Sequence, residues 1–177
     1  MKRIRTLVII FQVAMFFSGV TAFFVPWGID QIMSIGAFES TTLQPWLLEV
    51  QEGVRIVDQS YPFILYGTDW LAFAHILFAL LFYGAYVDPI RNIWLFKFGI
   101  IASVLIFPLA FIMGSIRGIP ILWQLMDCSF GVVASILLYY TLKKVKELEH
   151  ATNVNGLGTS GTWRNATFSS TKSIDTL

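Results

Sequence analysis

Few side chains in this sequence combine reactive chemistry with apolar surroundings. His75 stands in one apolar stretch, Gln124, Asp127 and Cys128 stand together in another, and Arg117 lies just ahead of the second group. A carboxylate among Leu, Trp, Met and Phe needs a cation or hydrogen-bond donors, or else it takes up a proton. Ionisable residues inside apolar spans are costly, and their default reading is functional. His75 adds an imidazole, so an Asp127–His75 pair would suit proton handling or the binding of a polar headgroup. Arg117 has a stem long enough to reach down toward Asp127. Gln124 lies one helical turn ahead of Asp127 and on the same face. The polar site expected from the sequence is therefore His75, Asp127, Arg117 and Gln124. The competing reading makes Asp127 hydrogen-bonding glue between helices and His75 a packing residue.

Other chemistries lack their residues. There is no phosphate-cradling glycine loop, no zinc-protease helix motif and no nucleophile elbow. His75 and His150 fall in different regions, which removes a histidine-pair metal centre or a bis-histidine haem. Neither a metal nor a cofactor is expected, with haem or quinone bound through His75 as a third reading. Cys128, the one cysteine, cannot form an internal disulfide and reads as a small packing residue.

The elements that must hold these residues are apolar spans. Of the 177 residues, 56% are hydrophobic, 16% aromatic and only 13% charged. A soluble domain carries about 25% charged residues, so an ordinary soluble globule is excluded. The net charge of +1 gives no electrostatic footprint for nucleic acid. Four apolar runs are long enough to cross a hydrocarbon core, at about 7–27, 70–87, 93–114 and 119–142. Val20-Thr21-Ala22 would pass as a signal-peptide cleavage site, but the first run continues apolar through Phe23, Phe24 and Val25, which favours an uncleaved helix. Thr68 or Asp69 is expected to cap the second helix, and Pro120 to open the fourth. Pro108 falls in mid-span, where it kinks a membrane helix without ending it. The fold expected is all-α, an integral membrane four-helix bundle over residues 1–150.

Basic residues set the orientation. With both termini on one side, that side holds Lys2, Arg3, Arg5, Arg91, Lys97, Lys143, Lys144 and Lys146, against only Arg55 and Arg117 opposite. The positive-inside rule then makes both termini cytoplasmic and the long loop 28–69 extracytoplasmic. Within that loop Trp46, Leu47, Val50, Val54 and Val57 recur at helical spacing between Glu49, Glu52, Arg55 and Asp58. Either a short amphipathic helix or a loop packed on the helix ends would use this pattern. Residues 151–177 are rich in Thr, Ser, Asn and Gly and read as a flexible cytoplasmic tail. Gly99 with Ser103, and Gly131 with Ser135, form small-xxx-small pairs that let helices approach closely.

On this threading, His75 lies about 7–8 Å and Asp127 about 12 Å below the outer boundary. Shared depth is the reason to expect them in one cluster. The function read from the sequence is that of a small multi-pass membrane component, non-catalytic, binding a partner protein or an apolar or lipid ligand, with homo-oligomers among the partners. The alternative is a membrane-embedded enzyme or proton-coupled transport component using His75 and Asp127.

Overall fold

The computed structural model describes residues 1–36 and 38–170, with side chains described up to Asn153. It is all-helical, with no strand among the described residues. The elements are α1 (Lys2–Ala22), α2 (Val25–Ser34), α3 (Gln44–Ser60), a 3-10 turn (Pro62–Ile64), α4 (Tyr66–Leu81), α5 (Tyr83–Val87), α6 (Ile93–Ile116) and α7 (Ile121–Ser170). Four helical stretches are long and apolar enough to cross a membrane: Lys2–Ala22, Pro62–Val87, Ile93–Ile116 and Ile121–Asn153.

Several boundaries differ from the expected ones, each for a local reason. The first helix ends at Ala22 and not at Trp27, because Pro26 in the first turn of α2 has no N–H and its ring would clash with the carbonyl of Ala22. The break is two residues wide, Phe23 and Phe24, and the chain restarts as α2. The second span begins earlier than Thr68–Asp69: Pro62 starts a 3-10 turn, Leu65 precedes the first turn of α4, and Asp69 lies inside that turn without capping it. Acidic charge there still suits the positive end of the helix. Pro120 lies just outside α7, and its carbonyl accepts from Trp123 and Gln124 N–H at 2.9 and 3.1 Å. Helix α6 continues through Pro108. The tail expected from residue 151 shares the backbone of α7 as far as Ser170, while residues 171–177 lie outside the described residues.

The loop 28–69 carries α2 and α3, so the helical spacing from Pro45 onward marks a helix. Its apolar stripe buries Leu47 completely, and Gln51 Nε2 donates to Asp30 Oδ1 at 2.7 Å, tying α3 to α2. Trp46 and Phe38 meet Trp123 at ring distances of 4.9 and 6.5 Å, which seats this segment on the first turn of α7.

The spans pack as two pairs. Helix α1 lies along α4, α6 lies along α7, and α1 also touches α7, whereas no Cα of α4 comes within 8 Å of α6 or α7. Each pair closes at a glycine. A Cβ on Gly19 would sit 2.7 Å from the Ala72 carbonyl of α4, and one on Gly131 would sit 2.7 Å from the Ser103 carbonyl of α6. Backbone therefore meets backbone, which only glycine permits. Gln12 reinforces the first pair by donating from Nε2 to the Ala79 carbonyl at 2.8 Å. The pairs join at the end of the molecule where α1 begins. There Ile4, Val8, Phe11, Phe82, Ala85, Leu95, Phe96, Leu138, Leu142 and Val145 form one buried cluster. Asn92 closes the α5–α6 turn beside it, donating from Nδ2 to the carbonyls of Gly84 and Asp88. Arg5 stands over the Tyr86 ring at 5.4 Å at the rim of the same cluster.

Candidate functional site

The loop-end turn between α6 and α7 builds a polar site. Helix α6 stops where Arg117 N–H donates to the Met113 carbonyl at 2.9 Å, and Gly118 takes φ +69°, a left-handed conformation suited to glycine. Ile119 N–H then donates to the Gly114 carbonyl at 2.9 Å, folding the chain back into α7. Gln124 lies flat on Gly114, where a Cβ would come within 2.8 Å of the amide carbon. Its Nε2 donates to the Ile119 carbonyl at 2.8 Å, so the side chain staples the turn. Gln124 is only 4% exposed, and its Oε1 is buried without a hydrogen-bond partner. An unmatched buried acceptor costs about 1–3 kcal/mol.

A groove of about 310 Å³ opens at this place. Exposed Arg117 lines it beyond the end of α6, Gln124 and Asp127 line its α7 side, and Ile106, Leu109, Ala110 and Met113 line its α6 side. Asp127 is half-buried and has no cation within 4.0 Å among the described residues. One of the two N–H donors on Gln124 Nε2 is committed to the Ile119 carbonyl. The groove therefore combines the Asp127 carboxylate and the Arg117 guanidinium with apolar walls. Cys128 is buried behind it and free.

Three of the four residues expected to cluster, Arg117, Gln124 and Asp127, line one groove. His75 does not join them. It lies on the seam between α4 and α1, its Cβ 3.0 Å from where a Gly19 Cβ would stand, and its Nδ1 lies 2.8 Å from the Leu71 carbonyl one turn back. A carbonyl only accepts, so this contact places the proton on Nδ1. The expected shared depth did not bring His75 to Asp127, because α4 packs on α1 and stays away from α7. Sequence reasoning missed the opposite wall: Gly114, Leu109, Ala110 and Met113 carry no polar group that singles them out. The one available signal was Gly114 itself, a small residue at the end of an otherwise bulky run.

Among the described residues no three or more of His, Cys, Asp and Glu come together. His75 and Asp127 belong to different helix pairs and so do not share a cavity for paired general acid–base work. What the α6–α7 groove can do chemically is hold a group that donates hydrogen bonds, from the side of the bundle. The chain matches no known protein family, no curated protein and no solved structure.

Proposed function

We propose that this protein is a non-catalytic membrane component that holds a membrane-borne apolar or lipid ligand in the groove between α6 and α7. The observation that carries this reading is a groove with largely apolar walls that also holds the Asp127 carboxylate, which has no cation within 4.0 Å among the described residues. A carboxylate left bare at membrane depth is unfavourable unless something partners it. The proton-handling alternative gains no support from placement, because His75 and Asp127 line different seams. Ala110, small and on the α6 wall, is the place to test occupancy. Ala110→Trp should fill the groove and strip co-purifying lipid from the full chain, read by native mass spectrometry, while the helical content stays the same. Unchanged lipid retention in that variant counts against the reading.

The orientation belongs to the same proposal. The eight basic residues on the side of the termini support a cytoplasmic location for both termini and an extracytoplasmic α2–α3 segment. Single cysteines introduced at Ser40 and Thr159 in a Cys128→Ala background should react with an impermeant reagent from opposite sides of the membrane. Reaction of both from one side is the result that refutes it.

A further inference from the structure

We propose that the start of α4 forms a second ligand site, in which Phe23, Tyr66, Trp70 and Phe73 hold a trimethylammonium group beside the Asp69 carboxylate. The site is separate from the α6–α7 groove and does not depend on the reading given to it. Asp69 and Trp70 follow Tyr66 by three and four residues, and Phe73 follows Trp70 by three, so one face of α4 carries them all. Phe23 comes from the break between α1 and α2, and these five residues line one hollow of about 250 Å³. Tyr66 and Trp70 stand at 78° with ring centroids 5.9 Å apart, and Trp70 and Phe73 at 83° with centroids 6.1 Å apart. Two faces at right angles with this spacing can share one cation about 4.2 Å from each centroid, inside the roughly 6 Å over which a ring attracts it.

The carboxylate sets the charge. Asp69 is half-buried and has no cation within 4.0 Å among the described residues, while Arg55 of α3 pairs with Glu52. A neighbouring hollow of about 260 Å³ shares Phe23 and Asp69 and adds Asp58, which extends the negative potential. An aromatic belt at a membrane boundary accounts for the rings singly, but it has no use for an unpaired carboxylate among them. The walls choose the kind of cation. A primary ammonium is strongly hydrated and needs N–H acceptors on several sides, where this site presents aromatic rings. A trimethylammonium group has no N–H to satisfy, and its methyls pack on ring faces while the carboxylate attracts the charge.

The position suits a lipid headgroup as the source of that cation. Asp69 lies in the first turn of α4, near the end of the Pro62–Val87 span, and the exposed Phe73 and Leu77 continue along the helix toward its middle. The ammonium of a choline phospholipid is its outermost group, and acyl chains running inward from it would lie along Phe73 and Leu77.

The test compares two lipids with identical acyl chains, phosphatidylcholine and phosphatidylethanolamine, bound to the full-length protein in dodecyl maltoside and read by native mass spectrometry. The wild type is expected to retain phosphatidylcholine over phosphatidylethanolamine by about fivefold, the scale of a partly exposed cation–π contact. Trp70→Leu keeps an apolar side chain and should abolish the preference. Trp70→Phe keeps a ring and should retain most of it, and Asp69→Asn should reduce it. Ala110→Trp, which fills the other groove, should leave the preference unchanged. Calorimetric titration with choline and ethanolamine, both as chlorides, separates the sources. A choline preference without a lipid preference assigns the site to a soluble trimethylammonium compound, and a lipid preference assigns it to the headgroup. Neither preference, a lipid preference that survives Trp70→Leu, or one that Ala110→Trp removes overturns the proposal.

Discussion

Gly131→Leu is expected to unzip α6 from α7 and to lower stability by about 3 kcal/mol, more than a hundredfold in the folded population. The existing gap at this position leaves no choice about direction. A Cβ there would lie 2.7 Å from the Ser103 carbonyl and 3.4 Å from Ile106 Cβ, and the first of these is backbone. Backbone cannot swing aside as a side-chain tip can, so the two helices must separate along their whole contact. Leucine adds three further carbons to that collision. The groove lined by Asp127 and Gln124 should widen with it, because it lies one turn along the same seam. Gly53→Leu in α3 is the matched control. No atom lies within 4 Å of its Cβ position, and replacing a mid-helix glycine should be neutral or slightly stabilising. Denaturation in mixed micelles, followed by circular dichroism, measures both variants. Equal stability of Gly131→Leu and Gly53→Leu would show that the close approach is not a feature of the folded protein.

Phe96→Ala should cost about 2–3 kcal/mol, less than the roughly 3–5 kcal/mol usual for a soluble core. The reduction has a physical reason. In a membrane, transferring a phenyl ring out of water contributes nothing to helix association, so only lost contacts and the cavity count. Phe96 is fully buried and meets Phe82 edge-on at a ring distance of 6.3 Å, within the one cluster where the helix pairs converge. Phe82, between α4 and α5, in turn meets Phe11 at 4.6 Å, so a cavity at Phe96 loosens α1 and the α4–α5 junction as well as α6. Phe130, 69% exposed on the flank of α7, provides the contrast, and Phe130→Ala should change stability by less than about 0.5 kcal/mol. The same micelle titration reads the difference, and two equal losses would contradict the placement of the core.

The unequal legibility of these features follows from their range. Spans were readable because an apolar run of crossing length is a property of consecutive residues. Helix α3 was half-readable: the spacing of Trp46, Leu47, Val50 and Val54 favours a helix, while the alternative of a packed loop uses the same residues. The end of α1 was readable in Pro26 but hidden by the apolar residues on either side of it. Three members of the polar site, Arg117, Gln124 and Asp127, were legible because they lie within eleven consecutive residues around one turn. His75 was misplaced into that site because depth along a helix can be counted, whereas the choice of neighbouring helix cannot. That choice depends on which surfaces admit close approach, here Gly19 against Ala72 and Gly131 against Ser103. Small residues mark a face suited to contact and do not name the partner.

The two helix pairs are closed by connections of very different length. Helices α6 and α7 are joined by residues 117–120, whereas α1 and α4 are separated by residues 23–65. Loop-closure entropy rises slowly with length, so the final stability of the two pairs need not differ on that account. Synthesis from the amino terminus imposes a different asymmetry. Helix α1 emerges first and must wait in the bilayer, its Gly19 face uncovered, until the whole α2–α3 segment has followed and α4 arrives. Helix α7 meets its partner almost as soon as it forms. The interval in which a nascent helix stands alone, and in which a membrane chaperone would have a face to shield, therefore falls on α1.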